Sequence, residues 1–542
     1  MIEKIYQLIR EVVGEGPKFN VAPSEKPEFG HYATNVAFIL SDPATAGKPA
    51  ALAEKIKNAG GKLFEKVSAT GKFINFWISP EAFRTELKNI LKQKKEYGAS
   101  KIGNGKKIQL EFISANPTGP LTMANGRGGF LGDALANVLK KSGYSVEKEY
   151  YVNDAGNQGR LLGESILAIA GKVPPAENHY QGAYVKDLAK ALDKEVQQGM
   201  NSADLGRLAA KFFLQAAKQS VKQAGIEFDQ FFSEYENLHQ KGELKQLLEM
   251  LNVKSLTEEK EGAVWLKTSG IDDKDRVLVK SDGQPTYFLA DLAYHYDKFI
   301  KRKFEEAIVI WGADHHGYIA RLKAGVTALG VDPKNLKVII TQFVRLIEDG
   351  KEVKMSKRSG DFVTLDDLLV EVGKDATRFF FLMHNPETHM DFDMTLAKER
   401  SQKNPVYYAQ YAAVRCNSIL GKVSSEGGSA FGGKSLKFKV IKLFGLERPK
   451  LEKLTAESEA NLIQELVKYP DLVLQTAKDY QVSRLARYSL EVARAFNNFY
   501  EKERVIVEDK KLMGARLALV KATRIVLENV LGVLGVAIPK EM

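Results

Sequence analysis

Residues 107–152 constrain the fold of this chain more than any other part of its sequence. Residues 108–113 are a candidate for a buried strand, and residues 147–152 predict another strand. Between them, two prolines and a glycine force a loop, and a helical pattern extends from about residue 125 to residue 142. A strand, a loop, a helix and a second strand in this order predict a doubly wound parallel sheet, an α/β architecture.

The chain is long enough for several domains around this sheet. Residues 1–100 predict a small α+β domain, because a helical repeat is followed by turns and an alternating strand at 73–78. Further strands of the sheet are predicted at 277–279, 307–310 and 338–340, which gives a sheet domain at 101–385. The polar, mostly helical stretch at about 156–270 is interpreted as an insertion. Helical patterns continue over 386–542, which predicts an all-helical domain.

Composition excludes several classes of protein. The chain is 44% hydrophobic and 27% charged, an ordinary globular mixture. Its one cysteine, Cys416, excludes an intramolecular disulfide and a Cys-rich zinc site, and we expect a buried thiol and no resident metal. The N-terminus has no signal-peptide core, and no apolar stretch approaches the ~18 residues of a membrane span. We therefore expect a cytoplasmic protein that does not bind membranes.

The charge balance is basic, with 79 Lys and Arg against 68 Asp and Glu, a net charge of +11. Such an excess favours a polyanionic partner such as nucleic acid. The alternative is that the excess is scattered over solvated faces, and composition alone leaves both interpretations open.

Two segments carry the residue types that phosphate chemistry needs. Residues 116–129 form a glycine-rich strand-to-helix turn, where backbone N–H groups and a helix N-terminus can meet a phosphate. The alternative is close packing of glycines. The second segment, Lys354-Met-Ser-Lys357, follows a predicted strand pair with a turn at 349–350. Its cations suit a polyphosphate, whereas the alternative is a basic surface loop.

Together these segments resemble the paired signatures of class I aminoacyl-tRNA synthetases, His-x-Gly-His and Lys-Met-Ser-Lys. Several further segments are similar to those of arginyl-tRNA synthetases, and they lie at 29–37, 71–76, 114–120, 151–158, 312–323, 404–411, 495–501 and 515–524. The likeness spans nearly the whole chain. It implies a Rossmann-like catalytic domain with a helical insertion, a D-loop-binding N-terminal domain at 1–100 and a helical anticodon-binding domain at 386–542.

The resemblance implies ATP-dependent attachment of L-arginine to tRNA(Arg) through an arginyl-adenylate, with ATP and Mg²⁺ as cofactors and a monomeric enzyme. Two alternatives remain open. The first is a synthetase-like tRNA-binding paralogue that lacks activation chemistry. The second is a class I synthetase for another amino acid such as cysteine, against which the lone Cys416 outside the sheet domain weighs.

One departure from the family pattern motivates the first alternative. Thr122-Met-Ala-Asn125 stands where the family has His-x-Gly-His. Thr122 can donate an O–H bond but carries no charge, and the amide of Asn125 can replace a neutral imidazole donor. Ala124 adds a methyl group where adenine would lie. Gly119 stands where enzymes without the second signature carry a compensating lysine, which agrees with the complete 354–357 segment here.

The candidate site residues follow from these motifs. The catalytic candidates are Lys354, Lys357, Thr122 and Asn125. The ATP-binding candidates are Gly119, Pro120, Thr122, Ala124, Asn125, Gly126, Met355, Ser356, Lys357 and His316. The arginine-binding candidates are Glu111, Ser114, Asn116, Tyr287, Asp291 and His315. The tRNA-binding candidates are Phe73 and Asn75 for the D-loop, and Tyr408, Tyr411, Tyr500 and Arg504 for the anticodon loop.

Some of these residues also have plain structural interpretations. Tyr287 and Asp291 are four residues apart on a predicted helix and are expected to face the same way. Without the resemblance, Asp291 would be interpreted as a surface carboxylate and Tyr287 as a core aromatic. Half or more of the aromatic candidates in the helical domain can likewise be core residues, although unstacked bases are read by aromatic stacking.

Overall fold

The computed structural model describes residues 1–24, 26–40, 49–270, 273–353, 363–426 and 449–542. The N-terminal part contains, in chain order, α1 (Ile2–Val13), β1 (Val21–Pro23), β2 (Tyr32–Thr34), α2 (Val36–Ile39), α3 (Pro49–Gly60), β3 (Phe64–Thr70), β4 (Phe73–Ile78) and α4 (Pro80–Gln93). Its strands form an antiparallel sheet in the order β1-β2-β4-β3. This is the small α+β domain that the sequence predicts.

The central part begins with the elements β5 (Lys107–Glu111), α5 (Met123–Lys141), β6 (Ser145–Val152), α6 (Asn157–Ile169), α7 (Ala183–Ala191), α8 (Asp193–Gln197), α9 (Ser202–Gln223), β7 (Gln230–Ser233), α10 (Glu243–Val253), β8 (Thr257–Lys260), β9 (Ala263–Leu266), β10 (Arg276–Val279) and α11 (Tyr287–Tyr296). It continues with β11 (Glu306–Gly312), α12 (Ile319–Ala328), β12 (Leu336–Thr341), β13 (Val344–Glu348), β14 (Lys351–Glu352), α13 (Leu365–Val372), α14 (Lys374–Met383), β15 (Met390–Asp393) and α15 (Met394–Lys398).

The main sheet of this part is parallel, in the order β12-β11-β5-β6-β7. Its central strands are buried, with Leu110 and Ile308 fully inaccessible to solvent. Helix α5 is buried along most of its length, as expected for a helix that packs against a parallel sheet. The predicted doubly wound α/β class is therefore confirmed. The chain reverses its direction of winding at β5, the place where such sheets bind ligands.

Two strand assignments from the sequence differ from the structure. The run at 277–279 is in β10, which belongs to a separate antiparallel sheet of β8, β9 and β10 and not to the parallel sheet. A four-residue apolar run contains no information about which strand it pairs with. Conversely, β7 lies within the segment interpreted as a helical insertion and forms the edge strand of the main sheet. Because β7 has only four residues and lies between helices, the sequence shows no alternating pattern that would identify it as a strand.

The C-terminal part is helical, with α16 (Pro405–Glu426), α17 (Glu457–Val467), α18 (Tyr469–Asp479), α19 (Ser483–Lys502) and α20 (Lys510–Leu534). Cys416 is fully buried in α16, and burial raises the pKa of its thiol. The thiol is therefore an inert core group. Among the residues that the structure describes, no helix is long and apolar enough to span a membrane.

A buried ionic cluster joins the helical part to the main sheet. Arg378 on α14 donates hydrogen bonds to the carbonyl of Leu534 at the end of α20 and to the carboxylate of Asp133 on α5. Lys148 of β6 donates to the other oxygen of Asp133 at 2.9 Å. Helix α5, whose N-cap is Thr122, is thereby linked to α20.

Candidate active site

The loop after β5 lies at the carboxyl edge of the main sheet and has an unusual backbone. Ile113 and Ser114 have φ values of 68° and 39°, in the left-handed region that β-branched residues rarely adopt. The hydroxyl of Ser114 accepts a hydrogen bond from the backbone N–H of Tyr151 at 3.1 Å, which ties the loop to β6. Strained backbone of this kind is concentrated at functional sites. The arginine-binding role predicted for Ser114 stays a prediction.

Three carboxylates from different strands and a helix lie close enough beside this loop for the charges of two to act on the third, and we refer to this group as the acidic pocket. Glu111 ends β5, Glu234 follows β7, and Asp291 lies one turn into α11. The hydroxyl of Tyr318 donates a hydrogen bond to Asp291. Burial raises the pKa of Asp291 to about 7, reinforced by the charges of Glu234 and Glu111 and opposed by Tyr318 and Lys298. Such a cluster is a receptor for a cation with several N–H donors.

A buried lysine partly neutralises this cluster. The ammonium of Lys298 is fully buried and lies 2.6 Å from the Glu111 carboxylate, and it also lies 3.9 Å from the ring centroid of Tyr294. Lys298 belongs to a π-helical turn, Asp297–Lys301, that follows α11. One oxygen of Glu111 therefore already accepts a hydrogen bond from Lys298, so the negative charge that Glu111 offers to a ligand is partly neutralised.

Amide side chains line the mouth of the pocket. The amide of exposed Asn116 donates to Gln158 at 2.6 Å. The amide of Asn153 contacts Asn116 at 3.0 Å and Glu234 at 3.1 Å. Across the mouth, the ring of Tyr287 is 57% exposed and packs over Gly156, where an added Cβ would lie 3.4 Å from it. The ring of Tyr287 therefore lines the entrance to the acidic pocket and is not a core aromatic residue.

The predicted histidines lie on the neighbouring strand end. Because β5 and β11 are adjacent and parallel, the turn Ala313–Tyr318 after β11 is at the same edge as the pocket. His315 and His316 are both exposed there, and Nε2 of His315 lies 3.4 Å from Asp314. No group of three or more His, Cys, Asp and Glu side chains suited to a metal ion occurs among the described residues.

The first signature segment forms the first turn of α5. The Thr122 hydroxyl and backbone N–H both donate to the Asn125 side-chain oxygen, at 3.0 and 2.9 Å. Thr122 is buried by this arrangement, whereas Ala124 is exposed and Asn125 partly exposed. Since its oxygen is occupied, Asn125 presents its NH₂ group at a helix N-terminus, where both the donor and the helix dipole favour an anion.

The remaining ATP candidates border this turn. Pro120 is partly buried. Gly119 faces Tyr184 of α7, and a Cβ added to Gly119 would lie 3.4 Å from the tyrosine ring. Gly126 faces Leu365, which a Cβ would approach to 2.8 Å. The second signature falls outside the described residues, and the candidates affected are Lys354, Met355, Ser356 and Lys357.

The tRNA candidates divide between exposed and interior positions. Phe73 is 53% exposed on β4, but Asn75 is buried and donates to Thr70 at 3.1 Å. Tyr408 is partly buried against the core, and Arg504 is exposed.

The guanidinium of Arg415 contacts the rings of both Tyr411 and Tyr500, at 4.6 Å and 4.9 Å from their centroids. Arg415 also donates to the Tyr411 hydroxyl at 2.8 Å. Arg415 is not among the residues predicted from the sequence, although its position four residues after Tyr411 on a helix indicates that the two side chains meet.

Glu234 is not among them either. Its place beside Glu111 and Asp291 depends on the pairing of β7 with β6, which no local sequence pattern reveals.

The parallel sheet, its winding reversal and the anion-binding turn of α5 define the catalytic domain of a class I aminoacyl-tRNA synthetase. The family description "tRNA synthetases class I (R), catalytic domain" matches residues 86–393. "Arginyl tRNA synthetase N terminal domain" matches residues 1–78, and "DALR anticodon binding domain" matches residues 409–542. The chain belongs to the arginyl-tRNA synthetase family.

Individual relatives agree with this membership. The arginine–tRNA ligase of Desulfitobacterium hafniense (strain DSM 10664 / DCB-2) is 40% identical, over 97% of this chain and 94% of the relative. That of Acetivibrio thermocellus is 40% identical over the full length of both chains. The solved arginyl-tRNA synthetase of Thermus thermophilus superposes with a TM-score of 0.79 at 21% identity, covering 100% of this chain and 99% of that one.

Proposed function

We propose that this chain attaches L-arginine to tRNA(Arg) through an arginyl-adenylate, and that the carboxylates of Asp291, Glu234 and Glu111 bind the substrate guanidinium. The acidic pocket carries this proposal. A planar guanidinium with five N–H donors matches several converging carboxylates, whereas a neutral side chain would leave them unpaired. The pocket therefore favours arginine over cysteine and other small amino acids.

The amides at the mouth complete the substrate site in this proposal. Asn116 and the backbone beside Ser114 bind the α-amino group, and Tyr287 covers the aliphatic stem of the substrate. The free carboxylate of arginine then points toward the first turn of α5. It attacks the α-phosphorus of ATP in line, and pyrophosphate leaves. Holding both reactants in this geometry supplies much of the rate without a protein nucleophile.

Charge on the polyphosphate is offset by donors from both signatures. The Asn125 amide and the N-terminus of α5 bind one side of the nucleotide, and Lys354 and Lys357 offset the charge that develops on the departing pyrophosphate. The exposed Ala124 leaves the first turn open to adenine, which supports activity despite the altered signature. Mg²⁺ bound together with ATP would supply further positive charge to the phosphates, and such an ion usually keeps its waters and takes few protein ligands.

The tRNA covers the outer domains in this proposal. In the second step the ribose 2′-hydroxyl of the terminal adenosine attacks the carbonyl carbon of the adenylate, an ester forms and AMP leaves. Arg415, together with Tyr411 and Tyr500, offers a stacking surface to unpaired anticodon bases. Phe73 offers an exposed ring to the D-loop. We also propose that the enzyme acts as a monomer in the cytoplasm, where its tRNA and ATP are found.

Arginine-dependent exchange of pyrophosphate into ATP, measured with and without tRNA(Arg), tests this function. We expect exchange in at least one condition and charging of the tRNA when arginine is supplied. Tight tRNA binding with no exchange in either condition would instead establish the non-activating paralogue.

A further inference from the structure

A buried arginine on α5 binds two separate segments of the chain. Arg127 is 3% exposed and lies five residues after Thr122. One of its terminal nitrogens donates to the carbonyls of Gln342 at 2.7 Å and Phe343 at 3.4 Å. The other donates to the carbonyls of Asn385 at 2.9 Å and Thr388 at 2.7 Å. The four carbonyls belong to the link between β12 and β13 and to the turn before β15.

Burying this guanidinium costs more free energy than burying an apolar side chain of similar volume. Every hydrogen-bond partner that the described residues give it is a neutral carbonyl, and burial lowers the pKa of Arg127 to about 10. The neighbouring His384 can only be neutral or positively charged, so it cannot offset this cation. A buried cation without an ion-pair partner contributes less stability than an apolar side chain of similar volume. The four hydrogen bonds to two separate segments indicate a geometric task instead.

The two segments that Arg127 holds lead into the strands β13 and β15, which belong to one small sheet with β14. Strand β13 pairs with β15 in parallel and with β14 antiparallel. Residues 354–357 follow directly after β14 and Val353 in the sequence.

The chain beyond residue 362 is bound to α5 as well. The backbone N–H of Met123 donates to the carbonyl of Val363 at 3.3 Å, and the N–H of Leu365 donates to the carbonyl of Leu121 at 2.9 Å. Both described flanks of the segment 354–362 are therefore attached to the beginning of α5. The second attachment is made by backbone hydrogen bonds, whereas the first combines the hydrogen bonds of Arg127 with apolar packing of Phe392 through Phe381 onto Phe130.

We propose that Arg127 is a positioning residue for amino-acid activation, which fixes β13 and β15, the strands next to the second signature in the sequence, against the helix that carries the first. The task needs arginine, because only its planar fork presents enough donors to bind four carbonyls on two segments. This inference rests on the proposed function. A misplacement of about 1 Å between reacting groups costs roughly 100-fold in rate.

The test compares Arg127→Met and Arg127→Lys with the wild type in arginine-dependent ATP–pyrophosphate exchange at saturating tRNA. Arg516→Met is the control for loss of a buried arginine elsewhere, since Arg516 pairs with Glu459 and Glu503 and donates to a carbonyl wholly within the helical part. We expect Arg127→Met to lower kcat roughly 100-fold and to raise KM for ATP while KM for arginine stays the same. Arg127→Lys is expected to lie in between, and Arg516→Met to change either constant less than twofold.

Hydrogen–deuterium exchange supplies a readout that does not depend on activity. In Arg127→Met or Arg127→Lys we expect faster exchange of amides in β13 and β15, and no such change in Arg516→Met. Wild-type kcat and KM for ATP in either Arg127 variant, or unchanged exchange in both strands, would overturn the proposal. A wild-type enzyme without pyrophosphate exchange would instead contradict the proposed function, and the deuterium result would still decide whether Arg127 holds the strands.

Discussion

The carboxylate of Asp291 accepts a hydrogen bond from the hydroxyl of Tyr318. The bond joins α11 to the turn after β11, two elements that converge on the acidic pocket. It favours the ionised carboxylate, while burial and the charges of Glu234 and Glu111 favour the protonated one, and the pKa of Asp291 lies at about 7 as a result. An entering guanidinium would shift this balance to the ionised form.

Replacement of Asp291 by Asn should weaken arginine binding specifically. The guanidinium loses a charged acceptor, so we expect KM for arginine to rise roughly 10- to 100-fold with little change in KM for ATP. Glu234→Gln should act in the same direction. Steady-state exchange assays measure both constants, and Asp332→Asn is the control because its carboxylate only caps a short turn on the far side of α12. An unchanged KM for arginine in Asp291→Asn would refute the pocket assignment.

Arginine binding should also depend on pH. Below the pKa of about 7, the ionised fraction of Asp291 falls tenfold per pH unit, so KM for arginine should rise by the same factor as the pH falls. Above that pH the constant should level off. Tyr318→Phe removes the bond that lowers the pKa, so the break should move to higher pH. Profiles of KM between about pH 5 and pH 9 test this, and identical breaks in the two proteins would exclude the coupling.

Arg415 should contribute to tRNA binding and not to activation. Its guanidinium contacts the rings of Tyr411 and Tyr500, and loss of a stacking platform costs about 1–3 kcal/mol per base. Arg415→Ala should therefore raise KM for tRNA roughly 10- to 100-fold at unchanged kcat. Arg524→Ala is the control, since Arg524 forms an exposed pair with Glu528 on α20. Equal effects of both variants would indicate only a loss of net positive charge.

Asp133 should matter for stability far more than a surface carboxylate does. Asp133→Asn leaves the buried cations Lys148 and Arg378 facing each other without a counter-charge, which should cost about 3 kcal/mol or more. The exposed pair of Arg345 and Asp391 provides the comparison, and Asp391→Asn should cost less than about 1 kcal/mol. Denaturant unfolding of the two variants measures the difference. Similar losses would show that the Asp133 cluster is not buried in solution.

Sequence reasoning predicted the parts of the fold that local patterns determine. The apolar runs and the helical repeat between β5 and β6 describe a βαβ unit by themselves, and the structure contains it. The pairing of β10 and the inclusion of β7 in the main sheet depend on which distant strand each one meets. Four-residue segments carry no periodicity that could reveal this.

The candidate site shows the same division. The spacing of Tyr287 and Asp291, and the capping pair of Thr122 and Asn125, are local features that can be read along one helix. Glu234 and Arg127 act on groups that are distant in sequence, so only the folded chain reveals their partners. Asn75 shows the converse, because its motif predicts a tRNA contact while the fold buries its side chain against Thr70.

The most direct test of the whole account is charging of tRNA(Arg) with a panel of labelled amino acids that includes arginine, citrulline, lysine and cysteine. Citrulline has nearly the shape of arginine but lacks its charge, so it separates recognition of charge from recognition of size. The acidic pocket of Asp291, Glu234 and Glu111 predicts charging with arginine alone. Comparable charging with citrulline, or preferred charging with cysteine, would contradict it.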